Sequence, residues 1–393
     1  MNIGIIDADL NDVKRLKGKR KHRFPNLACM KISSHHKKQG HNVKLLLSYD
    51  DVEKYDKVFI SKVFTDTYVP EEVLTLSNIE YGGTGFFYDK AELLPYEVEH
   101  SMPDYHLYDE FVEMSLKNGE SKRSLEYYTD FSIGFMTRGC IRGCSFCVNK
   151  NYRQCLRHSP VCEFLDESRP YICLLDDNVL ACKDWKEIFD ELNATGKRFQ
   201  FKQGLDERLL TDEKCEVIFN SKWIGYHIFA FDNIKDSKII EKKLNLIRKY
   251  TNKKMKFYTF CGFNHDNFEK YNEEFWAKDI RDLFERIRIL MEHKCLPYVM
   301  RYKDYELSPY RGIYIAVAGW CNQPSLFAKF TFEEYCKIEG MSKGCYKKYG
   351  KDFDAYLKDG NKKLSFWQYY DNFANKYPEI ADKYFHMRWG NNK

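Results

Sequence analysis

The chain has 393 residues, of which 44% are hydrophobic and 31% are charged, and its formal net charge is +5. This composition excludes a disordered chain, and the length predicts a globular protein of two or three domains. The charge is too small to indicate nucleic-acid binding by itself. The cysteines form no disulfide framework, no secretory signal opens the chain, and no apolar run is long enough to cross a membrane. We therefore expect a cytoplasmic protein without membrane contact.

The first hundred residues predict an open α/β sheet. Apolar runs indicate strands at 3–7, 43–47, 57–64 and 79–83, with a helix from Leu27 to Gly40. This alternation is typical of a doubly wound, Rossmann-like sheet, in which ligands bind beyond the carboxyl ends of the strands. The segments expected to line such a crevice are 7–9, 64–67 and 82–85.

A basic run occupies residues 14–23, with seven Lys or Arg in ten positions, and Phe24-Pro25 follows it. The run predicts a loop or an arm. It is compatible with binding to a phosphate backbone, so nucleic acid is a possible partner, although such a run is more often a solvated basic loop.

Three cysteines follow at C-x3-C-x2-C spacing, namely Cys140, Cys144 and Cys147. Three thiolates bind three irons of a four-iron cluster and leave the fourth iron open. Electron-transfer clusters and structural zinc sites instead close every position. A zinc site completed by Cys155 or His158, or three unrelated core thiols, is the alternative, although the zinc reading lacks a second cysteine pair at zinc spacing.

With Arg138-Gly139 before it and Phe146 inside it, this segment resembles the signature of the radical S-adenosylmethionine (radical SAM) superfamily. The resemblance implies a 4Fe-4S cluster on the three cysteines and S-adenosyl-L-methionine (SAM) on the open iron. It also implies a reductant such as flavodoxin or ferredoxin, and reductive cleavage of SAM to a 5'-deoxyadenosyl radical.

The first segment, together with 102–105, resembles the cobalamin-binding-like (B12-binding-like) domain of one branch of that superfamily. Many such domains carry a cobalt-binding histidine after the first strand, whereas residues 7–12 contain none. Cobalamin is therefore a possible cofactor rather than an implied one.

From Phe131 onward, a β/α pattern repeats six times, with strands predicted at 131–136, 171–175, 198–202, 225–231, 256–261 and 296–300. Six such units match the partial (β/α)6 TIM-like barrel of radical SAM enzymes. We expect three domains: a cobalamin-binding-like domain at 1–105, the barrel at 125–305 and a C-terminal cap at 306–393.

Active sites of α/β barrels lie at the carboxyl ends of the strands. The residues that follow the predicted strands are the candidates for SAM binding: Asp176, Asp177, Asn178, Gln203, Asp206, Arg208, Asp232 and Gly262. By resemblance, Asp176 or Asp177 would contact the amino group of SAM. Asp232 would accept from the ribose, and Gly262 would let the backbone approach the adenine. Arg208 would pair with a carboxylate or a substrate phosphate.

The last eighty-odd residues are aromatic and basic, which predicts a cap whose rings close the barrel mouth or stack nucleobases. Cys321, Cys336 and Cys345 either hold an auxiliary cluster or are buried thiols. Two alternative functions stay open, a cobalamin-dependent radical SAM methyltransferase and a non-catalytic metal-binding or nucleic-acid-binding module. The sequence predicts neither a catalytic residue nor a substrate.

Overall fold

The structure is a computed structural model that describes residues 1–12, 23–149, 152–267, 270–339 and 365–390. Most of the basic run and Cys345 lie outside these residues. The chain forms two compact units. Unit 1 comprises Met1–Gln203 with Ser221–Ile224, and unit 2 comprises Gly204–Asn220 with Gly225–Lys393.

Unit 1 begins with a four-stranded parallel sheet. Its strands are β1 (Asn2–Asp7), β2 (Asn42–Leu45), β3 (Lys57–Ser61) and β4 (Ile79–Gly82), in the order β2-β1-β3-β4. Side chains alternate across the sheet, so that Ile3 and Ile5 enter one core and Ile6 enters another. The parallel α/β sheet predicted for this segment is therefore confirmed. β1 ends at the predicted residue, and β2, β3 and β4 end one to three residues earlier than predicted.

The remaining strands are β5 (Phe131–Gly134), β6 (Thr137–Arg138), β7 (Leu156–Arg157), β8 (Tyr171–Leu174), β9 (Arg198–Phe201), β10 (Ile228–Ala230), β11 (Met255–Cys261) and β12 (Cys295–Arg301). In unit 1, β5, β8 and β9 form a parallel sheet in that order, and β6 pairs antiparallel with β7. In unit 2, β10, β11 and β12 form a second parallel sheet. All six predicted strands are present, while their closure into a barrel and the domain boundaries stay predictions.

The helices are α1 (Ala8–Asn11), α2 (Leu27–Lys38), α3 (Glu71–Leu74), α4 (Thr84–Phe87), α5 (Tyr96–Glu99), α6 (Asp109–Lys117), α7 (Glu126–Thr129), α8 (Trp185–Ala194), α9 (Asp212–Asn220), α10 (Ser237–Arg248), α11 (Glu273–Glu292), α12 (Arg311–Cys321), α13 (Pro324–Lys329), α14 (Phe332–Glu339), α15 (Ser365–Lys376) and α16 (Pro378–Tyr384). The Asn26 side chain caps α2 by accepting from Cys29 N at 3.3 Å. Asn272 caps α11 in the same way. Among the residues described, no helix is both long enough and apolar enough to span a bilayer.

The aromatic residues of the C-terminal segment pack against α11. Trp320 is fully buried, its ring lies 4.8 Å from Phe327 and 5.6 Å from Phe332, and its Nε1 donates to Phe330 O at 3.0 Å. Phe284 of α11 joins the same core. These rings stabilise unit 2 and are not presented for stacking on nucleobases.

Cys321 and Cys336 lie in the same core, 1% and 0% exposed. Burial raises the pKa of both thiols. Cys321 and Cys336 are therefore buried thiols, which is one of the two interpretations given above for the C-terminal cysteines.

Replacing Trp320 with Ala should lower the free energy of unfolding by about 3–5 kcal/mol, because the cavity removes ring contacts on several sides. Urea denaturation followed by circular dichroism measures the change. Leu307→Ala serves as control, because Leu307 is 67% exposed in the same unit, and it should change stability by less than about 0.5 kcal/mol. Equal effects of the two substitutions would contradict the role of the aromatic core.

Candidate functional site

The three cysteines lie in the loop between β6 and β7. These strands pair through Thr137 with Arg157 and Arg138 with Leu156, so the loop leaves and re-enters the unit at neighbouring positions. All three thiols are half-buried. At its start, Gly139 has φ +97°, and a Cβ there would lie 2.2 Å from Gln154 O. A residue with a side chain would not fit at this position.

A buried carboxylate holds the entrance to this cysteine loop. Asp176, which follows β8, is 1% exposed. It accepts from Met136 N at 3.2 Å, Thr137 N at 2.6 Å and Thr137 Oγ1 at 2.7 Å. Burial raises the pKa of Asp176 to about 6, although the three donors favour the ionised form. Asp176 therefore anchors the start of the loop in this structure.

The next two residues hold the loop itself. Asp177 accepts from Gly139 N at 3.0 Å and from the side chain of Asn149, so it joins the two ends of the loop. Asn178 Nδ2 donates to Cys140 Sγ at 3.4 Å. The three consecutive residues predicted to bind SAM therefore contact the cysteine loop.

Backbone N–H groups point at two of the three sulfurs. Arg142 N donates to Cys140 Sγ, and Asn149 N donates to Cys147 Sγ, both at 3.4 Å. Such hydrogen bonds stabilise thiolates and tune the potentials of iron–sulfur clusters. The donors around these thiols therefore fit an iron–sulfur cluster.

The thiols are not gathered in the structure as it stands. Within the described part of the chain, no three Cys, His, Asp or Glu side chains are arranged to hold a metal ion. Metal binding commonly orders its own ligands, because ligation and folding are coupled.

The residues named as fourth zinc ligands have other surroundings. His158 pairs with Ser159 Oγ at 2.9 Å and lies 3.4 Å from Glu99 Oε1, and burial lowers its pKa to about 4. Cys155 is buried, and burial raises its pKa to about 12. A thiol that resists ionisation is a poor metal ligand.

The first sheet also reaches the cysteine loop. Tyr88, beyond α4, donates its hydroxyl to Phe146 O at 3.1 Å. Its φ is +52°, an uncommon value for a bulky residue. Strained residues of this kind are often kept at functional sites. Phe146 lies between Cys144 and Cys147, so Tyr88 contacts the centre of the motif.

A second group of candidates lies in unit 2. Arg208 donates to Asp206 Oδ1 at 2.8 Å and to Asp236 Oδ2 at 3.0 Å. Its guanidinium is thus engaged by protein carboxylates, although it was predicted to pair with a ligand. Gln203, the last residue of the first stretch of unit 1, is exposed.

Asp232 and Gly262 follow neighbouring strands of unit 2. Asp232 Oδ1 accepts from Phe260 N at 3.1 Å, and burial raises its pKa to about 6. Gly262 has φ +79°, and its N–H donates to Asp279 Oδ2 at 2.8 Å. Asp232 and Asp279 border a polar cavity of about 250 Å³. This cavity is a candidate ligand pocket within unit 2.

A buried arginine ties these strand ends together. Arg286 of α11 is 2% exposed, and its Nη1 donates to the carbonyl oxygens of Phe231, Asp232 and Phe260 at 2.8–3.0 Å. The guanidinium thereby satisfies carbonyl groups at the carboxyl ends of β10 and β11.

Glu207 was not among the predicted site residues. It is 1% exposed, and its Oε2 accepts from Ala230 N at 3.1 Å. No described residue donates to or accepts from its buried Oε1. Burial, reinforced by Asp206, raises its pKa to about 8, so the carboxyl is largely protonated at neutral pH. Its only sequence signal was its place between Asp206 and Arg208 after a strand.

The carboxyl edge of the first sheet is closed by its own side chains. Asp9 accepts from Val63 N at 2.7 Å, from Phe64 N at 3.3 Å and from the hydroxyl of Thr67. The 7–9 and 64–67 segments are thus brought together, as predicted, but they bond to each other. The described residues of this edge include no histidine that could bind cobalt.

No protein-family model and no curated protein matches the chain. Solved structures similar to it include two of OxsB, described as a cobalamin-dependent S-adenosylmethionine radical enzyme. OxsB with aqua-cobalamin and S-adenosylmethionine bound is 11% identical, with a TM-score of 0.41, over 80% of this chain and 55% of that chain. OxsB with aqua-cobalamin bound is 11% identical, with a TM-score of 0.32, over 95% and 56%.

This chain therefore spans little more than half the length of OxsB. At TM-scores this low, we take neither the fold nor the cofactors of this chain from OxsB.

Asp177→Ala should loosen the cysteine loop even without any ligand, because Asp177 accepts from Gly139 N and from Asn149. A hydrogen bond to a charged group contributes about 1.5–3 kcal/mol. Amides of the loop should therefore exchange with deuterium at least about tenfold faster. The matched control is Asp190→Ala, at an exposed position of α8. Unchanged exchange in the ligand-free Asp177→Ala chain would mean that Asp177 is not an anchor of the loop.

Glu207 should make stability depend on pH. Its folded pKa of about 8 lies above the ordinary value of 4.5, so the folded state holds a proton that the unfolded state has released. The free energy of unfolding should therefore fall as the pH rises from about 4.5 to 8. Glu207→Gln should reduce this loss by at least about 1 kcal/mol.

Urea titrations at pH 6 and pH 9 measure the difference. Glu216→Gln, at an exposed position of α9, should keep the full pH dependence. If Glu207→Gln retains the same pH dependence as the unmodified chain, Glu207 is not protonated in the folded state.

Proposed function

We propose that this chain is a radical SAM enzyme that binds a 4Fe-4S cluster through Cys140, Cys144 and Cys147. One observation carries the proposal: three thiols at C-x3-C-x2-C spacing lie on a loop whose N–H groups point at two of the sulfurs. When bound, the cluster and SAM would supply one-electron cleavage to a 5'-deoxyadenosyl radical, which removes hydrogen from a substrate.

The cysteines and the three residues that follow β8 have separate roles in binding the cluster. The cysteines provide three thiolates and leave one iron position to a second ligand. Asp176 and Asp177 fix the start and the ends of the loop, and Asn178 donates to Cys140 Sγ. In this proposal these three residues act on the cysteine loop and not on the amino group of SAM.

Unit 2 contains a polar cavity of its own, which we propose as a ligand pocket within that unit. The cavity beside Asp232 is lined by carboxylates and amides, which are groups suited to ribose hydroxyls and a purine edge.

Cobalamin-dependent methyl transfer is the alternative outcome. No described residue favours it, because the carboxyl edge of the first sheet is engaged internally. The nucleic-acid interpretation depends on residues 14–23, of which 14–22 lie outside the described residues. Neither alternative has an observation of its own in support.

The test is anaerobic reconstitution with iron and sulfide, followed by reduction in the presence of SAM. Three chains are compared: the intact chain, Cys144→Ala and Cys162→Ala. Cys162 is an exposed free cysteine of the same unit, so its substitution controls for loss of a thiol as such. The measurements are 5'-deoxyadenosine and the electron paramagnetic resonance spectrum of the reduced cluster with and without SAM.

We expect 5'-deoxyadenosine from the intact chain and from Cys162→Ala, and background levels from Cys144→Ala. A spectrum altered by SAM would support binding even if cleavage awaits a substrate. Tight zinc binding without iron uptake would contradict the proposal. Retention of added hydroxocobalamin, with transfer of a labelled methyl group from SAM, would favour the cobalamin alternative.

A further inference from the structure

Glu99, at the end of α5, contacts the strand that leads into the cysteine loop. Its Oε1 lies 2.8 Å from Arg138 Nη2 and 3.1 Å from Lys31 Nζ. Arg138 belongs to β6 and lies two residues before Cys140. Glu99 therefore links a helix of the first sheet to the cysteine motif across 39 residues of sequence.

Lys31 is largely withdrawn from water, whereas the Arg138 side chain is partly exposed. Lys31, in α2, is 5% exposed, and burial lowers its pKa. Burial opposes ionisation of Glu99 as well, but Lys31 and Arg138 outweigh it and lower the pKa of its carboxyl. A buried carboxylate between two cations is stable only while all three charges are present.

The guanidinium of Arg138 is held from two sides. Its Cζ lies 3.4 Å from the centroid of the Phe135 ring, and the carboxylate of Glu99 accepts from Nη2. The contact with Phe135 positions the guanidinium, whereas Glu99 decides how much of its charge is compensated.

Glu163 and Asp177 also act electrostatically on Lys31 and Arg138, respectively, and both carboxylates are the same in every variant compared below. His158 lies 3.4 Å from Glu99 Oε1 and is neutral at pH 7, because burial lowers its pKa to about 4. His100 pairs with Glu163 at 2.9 Å. Lys31, Glu99 and Arg138 form a triad with a net charge of +1.

We propose that Glu99 is a positioning residue of the cysteine loop, and that the Lys31–Glu99–Arg138 triad sets the charge beside the cluster and hence its reduction potential. This inference rests on the proposed function. Reduction adds an electron to the cluster, so a positive charge nearby favours the reduced form and a negative charge opposes it.

The test measures the midpoint potential of the reconstituted cluster by anaerobic spectroelectrochemical titration. The variants are Glu99→Gln, Lys31→Met and the double variant, with Glu97→Gln as control. Glu97 is an exposed residue of the same helix, so its substitution makes the same charge change away from the triad.

Each variant has its own expected result. Glu99→Gln should raise the ratio of reduced to oxidised cluster about tenfold at a fixed potential, which is about 59 mV for a one-electron couple. Lys31→Met should shift the potential in the opposite direction. The double variant restores the net charge and should return close to the unmodified chain, as should Glu97→Gln.

If Glu99→Gln fails to take up iron, the comparison of Lys31→Met with the double variant still isolates the charge of Glu99. The potential should then be higher in the double variant. A loaded cluster whose potential is the same in all variants, or shifts of equal sign for Glu99→Gln and Lys31→Met, would overturn the triad alone. Failure of the unmodified chain to bind iron would instead overturn the proposed function, and the triad with it.

Discussion

A carboxylate buried at the end of β8 fixes where the cysteine loop begins. Burying the charge of Asp176 costs free energy, and three hydrogen bonds from Met136 and Thr137 offset that cost. Two of the three donors are backbone N–H groups just before the cysteines and the third is the Thr137 hydroxyl, so the arrangement orients the main chain rather than a ligand. From this anchored start, Asp177 and Asn178 hold Gly139 and Cys140.

In unit 2 a positively charged side chain, Arg286, orients the main chain at the strand ends. The guanidinium of Arg286 donates hydrogen bonds to carbonyl groups at the ends of β10 and β11. Asp279 accepts a hydrogen bond from the N–H of Gly262. Carboxyl ends of parallel strands leave such groups without sheet partners. In each unit a buried charged side chain therefore shapes the backbone around the candidate site, and exposed polar side chains contribute less.

Periodicity predicted the strands well, because apolar alternation and strand burial have the same cause. It also placed Asp176, Asp177 and Asn178 at a strand end. Their contacts with the cysteine loop were not predictable, since Asp176 and Thr137 are 39 residues apart. Glu207 was missed for a different reason: a charged residue is normally exposed, and its burial depends on tertiary packing that no local pattern records.

The contacts of Glu99 and Tyr88 with the cysteine loop region could not be predicted either, because the partners are far apart in the sequence. Tyr88 and Phe146, for example, are 58 residues apart. Both side chains come from the segment that resembles a ligand-binding domain and both end on the cysteine loop. The first hundred residues therefore contact the cysteine loop region, whether or not the carboxyl edge of their own sheet binds a ligand. A shorter fragment cut at residue 125 would lose these supports of its cysteine loop, so the two segments of unit 1 are not separable modules.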